Sequence, residues 1–291
     1  LPAIQSETNR AETALQKVVR QIHDVSTLPQ IALRVMEVAN DPNSGAADLK
    51  ETMESDAALS ARVLRQVNSS AYALRTPVTN LQQAIAYLGM KQIRNLAMTV
   101  SVGKMFEKDD CVGPYRRSQL WRHLVSVGIA ARMIAMRMNM ANFEDMFLAG
   151  LLHDLGIIFE DEHLSGAFAE IVTSPEEKAT LAELERRRLG FDHTQLGAAV
   201  AEQWGFPDAA TAAIRYHHMS SEYRGSQANV VRCVELANVL CSHKGITSVG
   251  RNLVKLSRSV VVALSLGKED FVVLIEDLDG ELSANASLFQ M

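Results

Sequence analysis

Seven of the eight histidines of this 291-residue chain fall between positions 123 and 243. Their settings suggest metal chemistry. His123 begins an apolar stripe continued by Val127, Ala131 and Ile134 at helical spacing. His153 follows Met146 and Ala149 at the same spacing in "LLHDLGIIFEDEH", and Asp154 is expected about 100° further around one continuous helix over 143–158. His193 opens "DHTQLGAAVAEQWGFP" at an expected helix start, with Asp192 or Thr194 as its cap. His217 and His218 end "AATAAIRYHH", three and four residues after Ile214, so either can point at the core side.

Singly, each of these histidines reads as a core or capping residue. Together, adjacent His–Asp and His–His pairs and two lone inward histidines exceed what a plain core uses. Neutral imidazole and carboxylate are ligands for first-row divalent metals. His123, His153, Asp154, His193, His217 and His218 are therefore expected to converge on one pocket holding one or two divalent ions. The set is rich in N and O and free of thiolate, which favours iron or manganese over zinc or magnesium.

Helices must position these groups. Glycine (16) and proline (7) are scarce, and no stretch alternates with the period of a strand. A polar helix is expected over 4–24. "TLPQIALRVMEVAND" follows with Ile31, Val35 and Val38 on one face, and a turn at Asp41-Pro42-Asn43. Further stripes are Leu49–Met53, Leu59–Val63–Val67 and Ile85–Leu88–Ile93–Leu96–Val100. A loop over 107–117 forms a seam. Beyond it, helices are expected at 118–138, 143–158, 163–173, 178–188, 194–204, 208–218, 226–243, 248–264 and from 268 to the mid 280s. The fold expected is all-α: a helical subdomain packed on the bundle that carries the histidines.

Composition narrows the function. With 47% hydrophobic and 22% charged residues the chain can bury a sizeable core. A net charge of −5 argues against a dedicated nucleic-acid binder, which needs a clustered positive surface. No apolar stretch approaches the ~18 residues of a membrane helix. Cys111, Cys233 and Cys241 make no CxxC pair, so a reducing cytoplasm is expected. The chain opens on Leu1 with no charged-then-apolar leader, as expected of a trimmed product.

The order His123, His153-Asp154, His193, His217-His218 resembles the ligand order of HD-superfamily metal-dependent phosphohydrolases, most of all the HD-GYP cyclic-dinucleotide phosphodiesterases. "LPQIALRVMEVANDP", "MESDAALSARVLRQVNSSAY" and "LQQAIAYLGMKQIRNLAM" resemble the HDOD domain, an HD-related output domain of bacterial signalling proteins. The resemblance covers 25–225, divided into a helical subdomain over 25–110 and an HD-like bundle over 118–225. Residues 1–24 would precede it as a helix, and 226–291 would complete the bundle. Three departures stand out. Ile157 occupies the lysine position of the enzymes' HDxGK; "HHMSSEYRG" has Met219 after the pair and no GYP; Asn238 aligns with a late aspartate. An amide is a poorer ligand than a carboxylate for a hard metal. Ile157 removes a cation that could steady charge on phosphate.

Three readings follow. The first, implied by the resemblance, is a non-catalytic signalling module that keeps a metal pocket, meets a protein partner and accepts an anionic or nucleotide ligand. The second is a metal-dependent phosphohydrolase acting on a nucleotide or cyclic dinucleotide, and the third a metal-free helical scaffold. Among weaker candidates, Arg116, Arg117 and Arg122 read as a solvated basic face or a phosphate-holding patch. Asn68 and Ser69 read as a helix stop. "ERRRLG" reads as a helix end whose arginines oppose the dipole and which Gly190 terminates. His23, His163 and His243 fall outside the motif and read as ordinary surface or core residues.

Overall fold

The computed structural model describes residues 14–22, 28–72, 74–176, 178–250 and 255–290. His23 and most of the expected 4–24 helix lie outside them. The first helices are α1 (residues 14–22), α2 (Gln30–Asn40), α3 (Ala46–Glu54), α4 (Ala57–Val67), α5 (Leu81–Leu88) and α6 (Met90–Gly103). The expected stripes face inward, with Val35, Leu49, Met53, Val63, Val67 and Ile93 fully enclosed. Asp56 and Asn80 cap α4 and α5 by accepting from the N–H groups of Leu59 and Gln83. Asn68 does more than stop a helix. Its amide donates to the carbonyls of Leu64 and Val78 and its oxygen accepts from Val78 N–H, stapling the next loop to α4.

The seam expected as plain loop contains a two-stranded hairpin, β1 (Cys111–Val112) and β2 (Tyr115–Arg116), too short to show alternation. Then come α7 (Arg117–Arg137), α8 (Phe143–Leu152), α9 (Leu155–His163), α10 (Ser165–Val172), α11 (Leu181–Leu189), α12 (His193–Gln203) and α13 (Asp208–Tyr216). Last are α14 (Ala228–His243), α15 (Arg258–Ala263) and α16 (Lys268–Ala284). The fold is all-α. Of the helix expected over 248–264, residues 248–250 and 255–257 are non-helical and 251–254 lie outside the described residues.

Two apolar cores meet along α7. Leu120 and Leu124 join a core that runs back through Leu96 and Leu59 and forward through Phe147, Phe159 and Leu196. Val127 and Ile134 join a second core with Ala149, Val234, Leu240 and Leu278. A buried polar network also links the N-terminal helices to the start of α8. Arg94, fully enclosed, donates to Asn40, Asn95 and Asp145, and Asn95 donates to Glu144. Such a charge is tolerable inside because its donors are satisfied.

Two glycine contacts set the geometry of the site. At the α7–α8 crossing, a methyl group on Gly150 would lie 2.7 Å from the Val127 carbonyl oxygen and 2.8 Å from Gly128 Cα. On α9, one on Gly156 would lie 1.9 Å from the His193 carbonyl oxygen, while Gly197 of α12 faces Gly156 from the other side. Only glycine lets these backbones touch. The expected continuous helix over 143–158 is therefore a correction. The chain leaves helical hydrogen bonding at His153-Asp154, and α9 sets out anew against the start of α12.

Candidate metal centre

The break explains how neighbouring residues reach one point. Instead of diverging around a helix, His153 and Asp154 turn together, with Nε2 3.3 Å from Oδ2. His123, from α7, brings its Nε2 to 3.5 Å from the same oxygen and 3.3 Å from His153 Nε2. The other carboxylate oxygen, Oδ1, faces His217 Nε2 at 3.1 Å and His193 Nε2 at 3.5 Å. His218 Nε2 lies 3.2 Å from His193 Nε2. The structure thus gathers all six expected residues around Asp154 in two groups. One is His123, His153 and Asp154; the other is Asp154, His193, His217 and His218. His163 is partly buried and His243 exposed, both outside these groups.

Backbone carbonyls fix three of the rings. His123 Nδ1 lies 2.9 Å from the Ile246 carbonyl, His153 Nδ1 2.7 Å from that of Gly150, and His217 Nδ1 3.0 Å from that of Ile214. A carbonyl cannot donate, so Nδ1 carries the hydrogen and the Nε2 lone pair points to the centre. His193 is held by a carboxylate: Glu185 Oε2 accepts from both its Nδ1, at 2.7 Å, and its backbone N–H, at 2.9 Å. Asp192 caps α12 as expected, through its bond to Gln195 N–H.

The electrostatics follow from burial and from these partners. Burial lowers His153 to about 4 despite the attraction of Asp154. Burial also acts against ionisation of Asp154, but the surrounding His153, His123 and His217 outweigh it and hold the carboxyl well below its usual range. Burial opposes charge on His193 too, yet Glu185, Asp154 and Asp192 raise it to about 9. Behind it, burial and the adjacent Glu185 push Glu160 well above the usual carboxyl range.

Convergent acceptors are what a cation needs. Asp154 Oδ1 and His217 Nε2 are buried with no hydrogen-bond partner. Leaving such atoms unpaired costs roughly 1–3 kcal/mol each. A hard–borderline divalent ion between an Asp oxygen and imidazole nitrogens satisfies them, so the residues present fit a metal.

A cavity of 280 Å³ opens on one side of this centre. Asp154, His193 and His218 form part of its wall, whereas His123, His153 and His217 do not line it. Ile157 is fully buried and lies off the cavity, whose basic side chains are Arg186 and Lys255. The expected alternatives for the arginines resolve differently. Arg117 is taken up by Asp161, Asp110 and Glu162, and none of Arg116, Arg117 and Arg122 lines this cavity. In "ERRRLG", Gly190 ends α11 in the left-handed region, while the three arginines pair with Asp192, Glu176 and Glu170.

Sequence reasoning missed Glu185. Its signal was an acid on the Ala182–Leu189 face of a helix, three residues after one and four before the other. The carbonyls of Ile246, Gly150 and Ile214 leave no signal, since every residue has one.

Comparison with known proteins places this fold in a family. Residues 25–220 match the HDOD domain family. An HDOD domain protein from Geobacter sulfurreducens has a crystal structure that superimposes with a TM-score of 0.75 at 28% identity, covering 95% of this chain and 97% of that one. A chain from Marinobacter aquaeolei VT8, put forward as a signal transduction protein, gives 0.76 at 25% identity, covering 97% of this chain and 64% of that one. An uncharacterised protein of Treponema pallidum (strain Nichols) is 24% identical over 238 residues, 81% of this chain but only 45% of that protein's length. No described helix is long and apolar enough to cross a membrane. With α2 to α6, the His–Asp cluster and most of its length inside the matched region, the chain belongs to the HDOD domain family.

Proposed function

We propose that this chain is a non-catalytic signalling module of the bacterial cytoplasm whose bundle retains an HD-type centre for one or two divalent metals. The single observation that carries the reading is the convergence on Asp154 of the Nε2 atoms of His123, His153, His193 and His217, each ring fixed by a hydrogen bond from its far side. His123, His153 and Asp154 Oδ2 would hold one ion, and His193, His217, His218 and Asp154 Oδ1 a second. Iron or manganese suits this donor set before zinc or magnesium. A bound metal would supply fixed positive charge and Lewis acidity.

The chain's own residues favour sensing over turnover. The enzymes' lysine position is the enclosed Ile157, and Asn238 offers a neutral amide at the cavity wall. Losing one electrostatic donor from such a site typically costs ~10²–10³ in rate. Occupancy could instead be read out through packing. His153-Asp154 ends α8, and the start of α8 is tied to α2 and α6 through Arg94, Asn95 and Asp145. A ligand that prefers one arrangement of this network shifts its population, which a protein partner can read. In domain terms, 25–110 and 118–225 form the HDOD unit, and 226–291 complete the bundle and part of the cavity.

The cavity's access to Asp154, His193 and His218 favours a second reading, a metal-dependent phosphohydrolase acting on a nucleotide or cyclic dinucleotide. The test is elemental analysis of protein purified without chelator, with phosphodiester assays of the Mn²⁺- or Fe²⁺-loaded chain beside His153→Ala. Bound metal without turnover is the expected result. Metal-dependent turnover that His153→Ala abolishes would establish the phosphohydrolase instead, and absence of metal binding would leave a helical scaffold.

A further inference from the structure

We infer that the cavity beside the outer half of the centre seats a phosphate group of one small ligand, gripped by Arg186 and Lys255 with the Asn238 amide; this rests on the metal-centre reading above. The cavity shows a graded polarity. Asp154, 98% buried and with its Oδ1 lacking a hydrogen-bond partner, forms part of the wall, and a cation is called for there. Two basic side chains stand on the same cavity. A metal ion flanked by an arginine and a lysine is a seat for an anion of more than one charge.

The hydrogen-bonding state of each group supports this assignment. Arg186 engages Asp192 Oδ2 through Nε, at 2.6 Å, and Nη2, at 2.5 Å, which leaves its remaining guanidinium nitrogen, Nη1, for a ligand. Lys255 is exposed and has no ion-pair partner among the described residues. The Asn238 oxygen accepts from the Ser242 hydroxyl, so its NH₂ is the part left to offer. The wall already carries the carboxylates of Asp154 and Glu183; a third at position 238 would repel an anion, whereas the amide donates to it. The residue that weakens metal ligation thereby improves anion binding. At the start of α11, Thr180 and Glu183 satisfy each other's backbone N–H groups, leaving those of Leu181 and Ala182 in the first turn. They add favourable dipole at the same cavity.

Size and lining define the rest of the ligand. The 280 Å³ cavity is near the lower end of small-molecule sites, roughly 300–1,000 Å³. One phosphorylated sugar or mononucleotide fits that scale better than a cyclic dinucleotide. Leu181, Met219 and Val249 supply apolar wall for its organic part. The cation missing at Ile157 is thus provided from elsewhere in the fold.

The experiment titrates inorganic phosphate into the full chain by calorimetry, before and after Mn²⁺ loading, with metal content measured in parallel. The same is done for Lys255→Gln and Arg186→Lys. Lys255 is exposed, so its variant removes charge without disturbing the core, and Arg186→Lys keeps a cation beside Asp192. The metal-loaded parent should bind phosphate, and each variant should bind it about tenfold more weakly with unchanged metal content. Adenosine monophosphate should displace the phosphate and cyclic di-GMP should not. Metal uptake without phosphate binding, equal affinity in parent and variants, or displacement by both nucleotides alike would overturn the inference while leaving the metal centre intact. Absence of metal uptake would overturn the centre, and the inference with it.

Discussion

The two halves of the centre share one carboxylate but are built differently. On the inner side, His123 and His153 are enclosed, and each ring is held by a backbone carbonyl. On the outer side, His217 is also held by a carbonyl, but His193 is held by the side chain of Glu185, and His193 and His218 border the cavity. Carbonyls belong to the fold and survive substitution of the residue that carries them. A carboxylate can be altered by one codon. The inner half is therefore as rigid as the crossing of α7 and α8, while the outer half can be tuned and can meet a ligand.

Asp154 is the one residue both halves need, so its loss should have the largest effect. Asp154→Asn replaces one of two acceptor oxygens with a donor facing imidazole lone pairs. Metal content should fall to background in both positions, an effect of at least ~100-fold in affinity, as read by elemental analysis after dialysis. Retention of a full metal complement would break the view that the halves share a ligand. Gly150→Ala should come next. Its methyl group has no room against Val127 and Gly128, so α7 and α8 must part. Overpacking of this kind costs about 1–3 kcal/mol, measurable by urea denaturation. The inner position should lose affinity more than the outer, because His123 and His153 ride on the two displaced helices.

The same contrast governs what could be read from sequence. The apolar stripes of α2 to α6 were legible because burial imposes helical periodicity, and Val35, Leu49, Met53 and Ile93 lie where it put them. The six candidate ligands were legible as residue types in helical settings. The break at His153-Asp154 was not. It depends on Gly156 meeting the His193 backbone, a contact between residues 37 positions apart that local propensity cannot see. Glu185 was hidden among arginines that suggested a solvated helix end. The short hairpin at Cys111–Arg116 lies below the length at which alternation registers.

Glu185→Gln tests the outer half alone. The amide can still accept from His193, but the charge that raises this histidine to about 9 is gone. Removing an orienting partner of a metal-bound histidine typically costs ~10–100-fold in metal affinity. The loss should be confined to the outer ion, as read by competition with a chromophoric chelator. Equal weakening of both ions would show that Asp154 transmits the change and that the halves are one unit.

The smallest effect should come from the inner counterpart of that substitution, and its smallness is the point. Ile246 supports His123 as Glu185 supports His193, but through its carbonyl at 2.9 Å, not its side chain. The side chain is buried in the second core, 8% exposed. Ile246→Val removes one methylene there and leaves the carbonyl in place. Stability should fall by about 0.5–1.5 kcal/mol, as usual for this change in a core. The expected value lies towards the lower end, because the residue sits at the edge of its cluster. Metal affinity should stay within about twofold of the parent, since neither the His123 tautomer nor its direction depends on the deleted group. Chelator competition and urea denaturation on the same samples separate the two quantities. A stability loss without a metal loss, set beside the metal loss of Glu185→Gln, is the signature of an inner half held by backbone. Should Ile246→Val weaken the inner ion tenfold, the carbonyl would have to be moving with the side chain, and the rigidity assigned to this half would be lost.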